Sequence, residues 1–296
     1  ERMVTEVHAA AVSAFVRQQA IDRTAIDAIG FHGQTVLHRP ELRLTVQLGD
    51  GPLLAELTRL PVVYDLRAAD VAAGGQGAPL VPVYHRALVA KILERPVAVV
   101  NIGGVANVTW IGHDGRLIAF DTGPGNALID DWMRARTGAT HDAAGATAAA
   151  GRICEEKLAV LLSHPYFGVL PPKSLDRNTF SAEAVQGLGT EDGAATLTAF
   201  AAAAIARARE EMPEEPALWI IAGGGRKNKT LMRVLAGRVE NAVAPAEAVG
   251  LDGDALEAEA WAYLAARSLR GLPITFPGTT GVAAPMTGGV LVRPMC

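Results

Sequence analysis

Four glycine-rich polar turns, each following a stretch that reads as a β-strand, constrain this chain more than any other feature. They are His32 to Thr35, Gly74 to Pro79, Asn101 to Asn107 and Gly223 to Asn228. A glycine turn after a strand is where α/β proteins bring main-chain N–H groups close to anionic ligands. One such turn says little, because a glycine pair more often only reverses the chain. Four together favour a nucleotide or another phosphorylated ligand. None has the spacing of a P-loop, and none gives Gly-x-Gly-x-x-Gly with a ribose-binding acid about 20 residues on, so P-loop NTPases and dinucleotide enzymes lose ground.

Composition narrows the class further. The 296 residues leave room for one large domain or two ordinary ones. Lys+Arg 27 against Asp+Glu 31 gives a net charge of -4, which leaves no cationic excess for bulk nucleic-acid binding. Cys154 and Cys296 are too few for a disulfide framework or a thiolate metal site and point to a reducing, cytoplasmic compartment. No apolar run approaches the roughly 18 residues of a membrane span, so no membrane partner is expected. His32, His38 and His85 form no helical pair and have no companion cysteine; they are expected to be hydrogen-bonding histidines, with no metal site. Cys154 is expected inside a helix and inert.

Along the chain, residues 1 to 20 read as an amphipathic helix with Val4, Val7, Ala11 and Phe15 on one face. The chain starts with Glu1 and shows helical spacing at once, so N-terminal sequence is expected to be lost. Ala28 to Phe31 and Leu44 to Leu48 read as strands, and Asp50-Gly51-Pro52 as the cap and first turn of a helix through Leu60. Pro61 to Leu66 is extended, and a helix is expected over His85 to Leu93. Pro96 marks the expected domain border, giving a first domain over 1–96, joined by 272–296, and a second over 97–271. Val97 to Ile102, Ala106 to Ile111 and Leu117 to Phe120 read as successive strands. Helices are expected near Ile153 to Leu162, Ala194 to Glu211, Lys229 to Leu235 and Leu256 to Leu269, with a buried strand at Leu218 to Ala222. The alanine-rich stretches read as tight helix packing, and the mixture as an α/β fold.

A fifth feature carries chemistry. In Phe120-Asp121-Thr122-Gly123-Pro124-Gly125-Asn126 an aspartate stands at the mouth of a strand, ahead of a constrained turn and a helix start. Such a carboxylate is held rigidly and suits a general base. A turn-forming or capping Asp is the commoner role, but Asn126 is the better cap candidate and leaves Asp121 for other work.

The blocks GFHGQTVLHRP (30 to 40), DLRAADVAAGGQGAPLVPVYH (65 to 85), NIGGVANVTWI (101 to 111), FDTGPGNALIDDW (120 to 132) and AGGGRKN (222 to 228) resemble the signature blocks of 1,6-anhydro-N-acetylmuramic acid kinases, in family order and over nearly the whole chain. The resemblance implies the actin/Hsp70/sugar-kinase superfamily: two ribonuclease-H-like domains closing over ATP and Mg2+ in an interdomain cleft, the first domain here N-terminally incomplete. It places Asp121 on the catalytic aspartate and Glu257 on a supporting glutamate. Thr35, Arg67, Asp70, Gln76 and Gly77 fall on the sugar side. Gly103, Gly104 and Asn107, with Gly123 and Gly125, fall at the phosphates, and Gly223, Gly224, Gly225 and Asn228 at the adenosine. Arg67 is the cation for the lactyl carboxylate, and a cytoplasmic homodimer is implied. The family's first phosphate turn, Gly-Thr-Ser-x-Asp-Gly, does not occur. Leu66 stands where the family usually has Phe, and KSLDRN (173 to 178) departs from the family's Lys-Ser-Thr-Gly-Arg-Glu, so no role passes to Arg177.

Read this way, the chain hydrolytically opens 1,6-anhydro-N-acetylmuramic acid and phosphorylates O6 during peptidoglycan recycling, with one carboxylate deprotonating the attacking water. Two other readings stay open: a catalytically dead sugar-binding or dimerising remnant, and a kinase for another sugar.

Overall fold

The computed structural model describes residues 1–92 and 94–295. Leu93, the expected end of a helix, and Cys296 lie outside the described residues.

The chain divides into two compact units, one formed by Glu1–Tyr84 and Glu257–Cys296, the other by His85–Leu256. In the first, the amphipathic helix α1 (Arg2–Gln18) forms as its spacing predicts, burying Thr5, Ala9 and Val16. β1 (Ile29–Gly30) follows, then a hairpin of β2 (Gln34–Arg39) and β3 (Leu44–Leu48). Asp50 caps α2 (Gly51–Thr58), its carboxylate accepting from the Leu53 N–H at 2.8 Å. β4 (Val62–Tyr64) pairs parallel with β1, and α3 (Ala68–Ala72) opens the glycine-bearing loop. α4 (Pro82–Leu88) carries the chain across the division.

The second unit is built on a five-stranded sheet. β5 (Val97–Ile102), β6 (Val105–Ile111) and β7 (Leu117–Pro124) form an antiparallel meander, followed by α5 (Ala127–Thr137), α6 (Ala146–Ala150), α7 (Glu155–Leu162) and α8 (Thr190–Arg207). Then come β8 (Leu218–Ala222), α9 (Lys229–Ala236) and β9 (Ala242–Pro245), both strands running parallel to β5. The sheet order is β7-β6-β5-β8-β9. One face buries Ala98, Val100, Ile102, Val108, Phe120, Trp219 and Ile221 together with residues of α8 and α9. Every residue of α8 from Gly193 to Ala206 is buried, so its alanines allow close helix approach.

The chain then returns to the first unit with α10 (Leu256–Leu269), α11 (Pro277–Thr280) and β10 (Val290–Val292), which pairs antiparallel with β4. Trp261, Leu264 and Ala265 of α10 pack on Val63, Leu66, Leu80 and Val83. The division therefore differs from the expected border at Pro96: it falls at Tyr84, and 257–271 goes with the first unit because the apolar face of α10 covers that unit's sheet. Cys154 is half-buried at the N-cap position of α7, not inside it; its N–H donates to Thr196 Oγ1 at 3.0 Å. Among the described residues no helix is long and apolar enough to cross a membrane.

Candidate active site

In the second unit the strand β7 does not stop at Phe120 but continues through Pro124. A register shift at Ala106/Asn107 leaves Thr122 as an extra residue opposite β6. A bulge of this kind re-aims neighbouring side chains. Asp121 is consequently paired with Asn107, and Asn107 in turn with Asn101 on β5. Residues directly opposite across antiparallel strands share a face, so Asn101, Asn107 and Asp121 form a polar row across three strands. The row ends at the Gly223 turn, where a Cβ on Gly223 would lie 2.4 Å from Asn101 Oδ1.

Asp121 is 8% exposed, and its Oδ2 accepts from the Leu175 N–H at 2.7 Å. Asn107 Oδ1 is buried and has no hydrogen-bond partner, an expensive omission unless a ligand supplies one. Among the described residues no group of three or more His, Cys, Asp or Glu gathers, so a protein-only metal cage is absent there.

The glycines divide into two kinds. Gly103 and Gly104 make the β5–β6 turn; an added Cβ would meet nothing closer than 3.5 and 3.6 Å, so packing does not demand glycine there. Gly125 is required by close approach, its would-be Cβ lying 2.3 Å from Gly103 O, and main-chain bonds from Gly125 and Asn126 to this turn fix it against the start of α5. Gly123 is buried where a Cβ would come 2.8 Å from Ala204 Cβ of α8, a packing need. Contrary to the expectation from sequence, Asn126 does not cap α5 through its side chain; its Nδ2 donates to Ile102 O at 3.2 Å. Gly223 has φ 73°, and its carbonyl accepts from buried Arg226, which also pairs with Glu247 and Asp254. Gly224 is exposed, while Gly225 is buried against Ile102. Asn228 caps α9, its Oδ1 accepting from the Leu231 N–H at 2.9 Å.

The sugar-side residues all lie in the first unit. Arg67 donates to His32 Nε2 through Nε (3.1 Å) and Nη2 (2.9 Å), and to Gly77 O through Nη1 (2.6 Å). Its guanidinium lies 5.4 Å from the Trp261 ring centroid, and the His32 ring stacks on Trp261 at 4.3 Å. Burial, then the Arg67 charge, pushes His32 down to about 4, so the ring is neutral and accepts from Arg67. Asp70 is buried and fully engaged: Oδ1 accepts from the Gly77 N–H at 2.7 Å and Oδ2 from Thr280 Oγ1 at 2.6 Å. Gln76 is held by its main chain, its N–H on Thr280 O and its carbonyl against His38 Nε2. Gly77, at φ 65°, leaves no space for a Cβ beside Val71. Thr35 accepts from Gln47 across the β2–β3 hairpin at 3.3 Å. Glu257 is an exposed first-turn residue of α10 and belongs to the first unit.

Sequence reasoning missed His32 as the partner of Arg67, and Tyr166 and Leu175 as partners of Asp121. A segment without regular strands, tens of residues along the chain, carries no local signal of what it touches.

A family model described as anhydro-N-acetylmuramic acid kinase matches residues 1–294. The chain belongs to the anhydro-N-acetylmuramic acid kinase family. The curated family member from Methylobacterium nodulans is 58% identical over 295 residues, covering 99% of this chain and 79% of its own length. That from Rhodospirillum rubrum is 58% identical over 289 residues (97% and 76%), and that from Bradyrhizobium diazoefficiens 56% over 297 residues (99% and 81%). The chain is thus a member of a kinase family, and an α/β one.

Proposed function

We propose that this chain transfers the γ-phosphoryl group of ATP to O6 of 1,6-anhydro-N-acetylmuramic acid while water opens the anhydro bridge, giving N-acetylmuramic acid 6-phosphate in cytoplasmic cell-wall recycling. Family membership supports the substrate. The single observation that carries the mechanism is the buried Asp121 carboxylate, fixed by the Leu175 N–H at the head of the polar row.

In the anhydro sugar the anomeric carbon is bonded to its own O6, so O6 becomes an acceptor only as that bond breaks. Water oxygen bonds to C1, the C1–O6 electron pair stays on O6, O6 bonds to the γ-phosphorus, and the bond from that phosphorus to ADP breaks. The proton lost by water passes to the Asp121 carboxylate. The Gly103–Gly104 turn, exposed at Gly104, is assigned to the phosphates and Gly223 to Gly225 to the adenosine. Asn228, engaged as a cap, supports that turn from behind, as Gly123 and Gly125 support the phosphate turn. Mg2+ suits oxygen donors and leaves most of its shell to phosphate and water, which fits the orphaned Asn107 Oδ1 as the protein atom that would hold it. When bound, it neutralises charge on the transferring phosphoryl group.

In the first unit, Arg67 is assigned to the lactyl carboxylate and Thr35 to a sugar hydroxyl, with Asp70, Gln76 and Gly77 holding the loop beneath Arg67. Glu257 is assigned a supporting role. The order β7-β6-β5-β8-β9, with β6 antiparallel to the rest, supports a ribonuclease-H-like reading of the second unit. A homodimer is part of the same proposal and is checked by sedimentation. Reaction in oxygen-18 water tests the mechanism. The label is expected at the anomeric hydroxyl and none in the sugar phosphate; label in free inorganic phosphate with none at the anomeric hydroxyl indicates hydrolysis of ATP by water and overturns the coupled reaction.

A further inference from the structure

β7 is an edge strand of the five-stranded sheet, and both main-chain groups of Asp121 find partners outside that sheet. Its N–H donates to Lys173 O at 3.1 Å, and its carbonyl accepts from the Tyr166 hydroxyl at 2.5 Å. With the Leu175 N–H on Oδ2, these hydrogen bonds to one residue come from the stretch between Tyr166 and Leu175. That stretch is itself anchored. The Lys173 side chain is buried, its Nζ donating to Val169 O at 2.7 Å and to Glu211 Oε1 at 3.2 Å, and lying 5.0 Å from the Tyr166 ring centroid. Tyr166 is buried too, among Phe167, Phe180 and Lys173, and burial with the Asp121 charge raises its hydroxyl above the ordinary phenol range. The hydroxyl therefore stays protonated and can only donate to the Asp121 carbonyl.

A general base at a strand edge has nothing on its outer side to fix it unless another segment is brought there. We infer that Tyr166 is a positioning residue for the reaction, its hydroxyl locking the main chain of Asp121 so that the carboxylate meets the attacking water at a fixed angle, with the Lys173–Glu211 pair clamping the segment that delivers it. This rests on the reading of Asp121 as the base. Tyr166 touches no reacting atom, so its effect passes through Asp121 alone.

Tyr166→Phe keeps the ring and its packing and deletes only the donor. Its kcat is expected to fall roughly 10- to 100-fold, the cost of an ångström-scale misplacement, with both KM values within about twofold of wild type. Adding Tyr166→Phe to Asp121→Asn, in single-turnover assays, is expected to cause no further loss, because the residue it positions is no longer a base. A Tyr166→Phe enzyme with wild-type kcat overturns the inference, as does a double variant in which the two losses multiply. Melting temperature, measured on the same samples, identifies a loss that comes from unfolding, and a kcat fall that disappears when corrected for the folded fraction also overturns it. An Asp121→Asn enzyme that remains active fails the parent reading separately.

Discussion

Asp121→Asn replaces one carboxylate oxygen by an amide and keeps the shape of the side chain in its buried setting. Loss of a general base costs roughly 100- to 10,000-fold in turnover. Steady-state phosphorylation of the anhydro sugar is expected to fall by that factor with folding intact, and activity above about a tenth of wild type shows that another group takes the proton. Arg67→Lys tests the sugar side. A lysine cannot reproduce the two bonds to His32, the bond to Gly77 O and the approach to Trp261 together. The sugar KM is expected to rise roughly tenfold, about 1.4 kcal/mol, with kcat little changed, because the lactyl carboxylate is bound alike in ground and transition states. An unchanged KM removes Arg67 from the substrate. Asp121 was legible in sequence because a strand, a Gly-Pro-Gly turn and a helix start surround it within seven residues. Tyr166 and Leu175 were not, because the contact that gives them a role spans 45 and 54 positions.

Among the elements, those with internal signals form where the sequence places them. Val97 to Ile102 is apolar and β-branched, Asp50 precedes a first-turn proline, and Leu256 to Leu269 repeats apolar residues at helical spacing. β2 was missed because its six residues, QTVLHR, carry no alternation; its pairing with β3 makes it a strand. β9 and β10 are short, and β9 ends on Pro245, so their pairing to β8 and β4 decides them. Of the two helix caps read from sequence, Asp50 accepts from the N–H three residues on, whereas Asn126 turns its amide to Ile102 O in the phosphate turn. Asn228, read only as part of the adenosine turn, caps α9 by accepting from the Leu231 N–H. Asn228→Ala is therefore expected to cost about 1 kcal/mol of stability through α9, measured by urea unfolding, and to raise the KM for ATP as the adjoining glycine turn loosens. An ATP KM identical to wild type shows that the turn is held without α9.

At the scale of the whole molecule, the sequence offers Pro96 as a border because a strand-rich run begins there, but domain membership is decided by which core an apolar face covers. α10 closes the first unit although it follows the second in sequence, a discontinuity without local signature. Each unit holds a neutral histidine, half-buried in the first and buried in the second. His85 is 4% exposed, bonded through Nδ1 to Thr109 Oγ1 at 2.8 Å and held down to about 4 by burial; His32 is held near the same value by burial and by Arg67. Unfolded, both titrate near 6.5. Between roughly pH 6.5 and 4 the unfolded chain therefore binds protons that the folded units exclude, so this stability is full above about pH 6.5 and is lost as the pH falls toward 4. Asp65 and Asp130, whose carboxyls burial raises, act in the opposite direction at the acid end, which makes pH 7.5 against 5.5 the informative comparison. The urea midpoint is expected to be lower at pH 5.5, in both units if they unfold separately. His85→Gln, which can keep a bond to Thr109 but cannot protonate, is expected to flatten the dependence of the second unit alone. A midpoint that does not move between these pH values, or one that moves equally in the variant, shows that His85 is not excluded from protonation in the folded state.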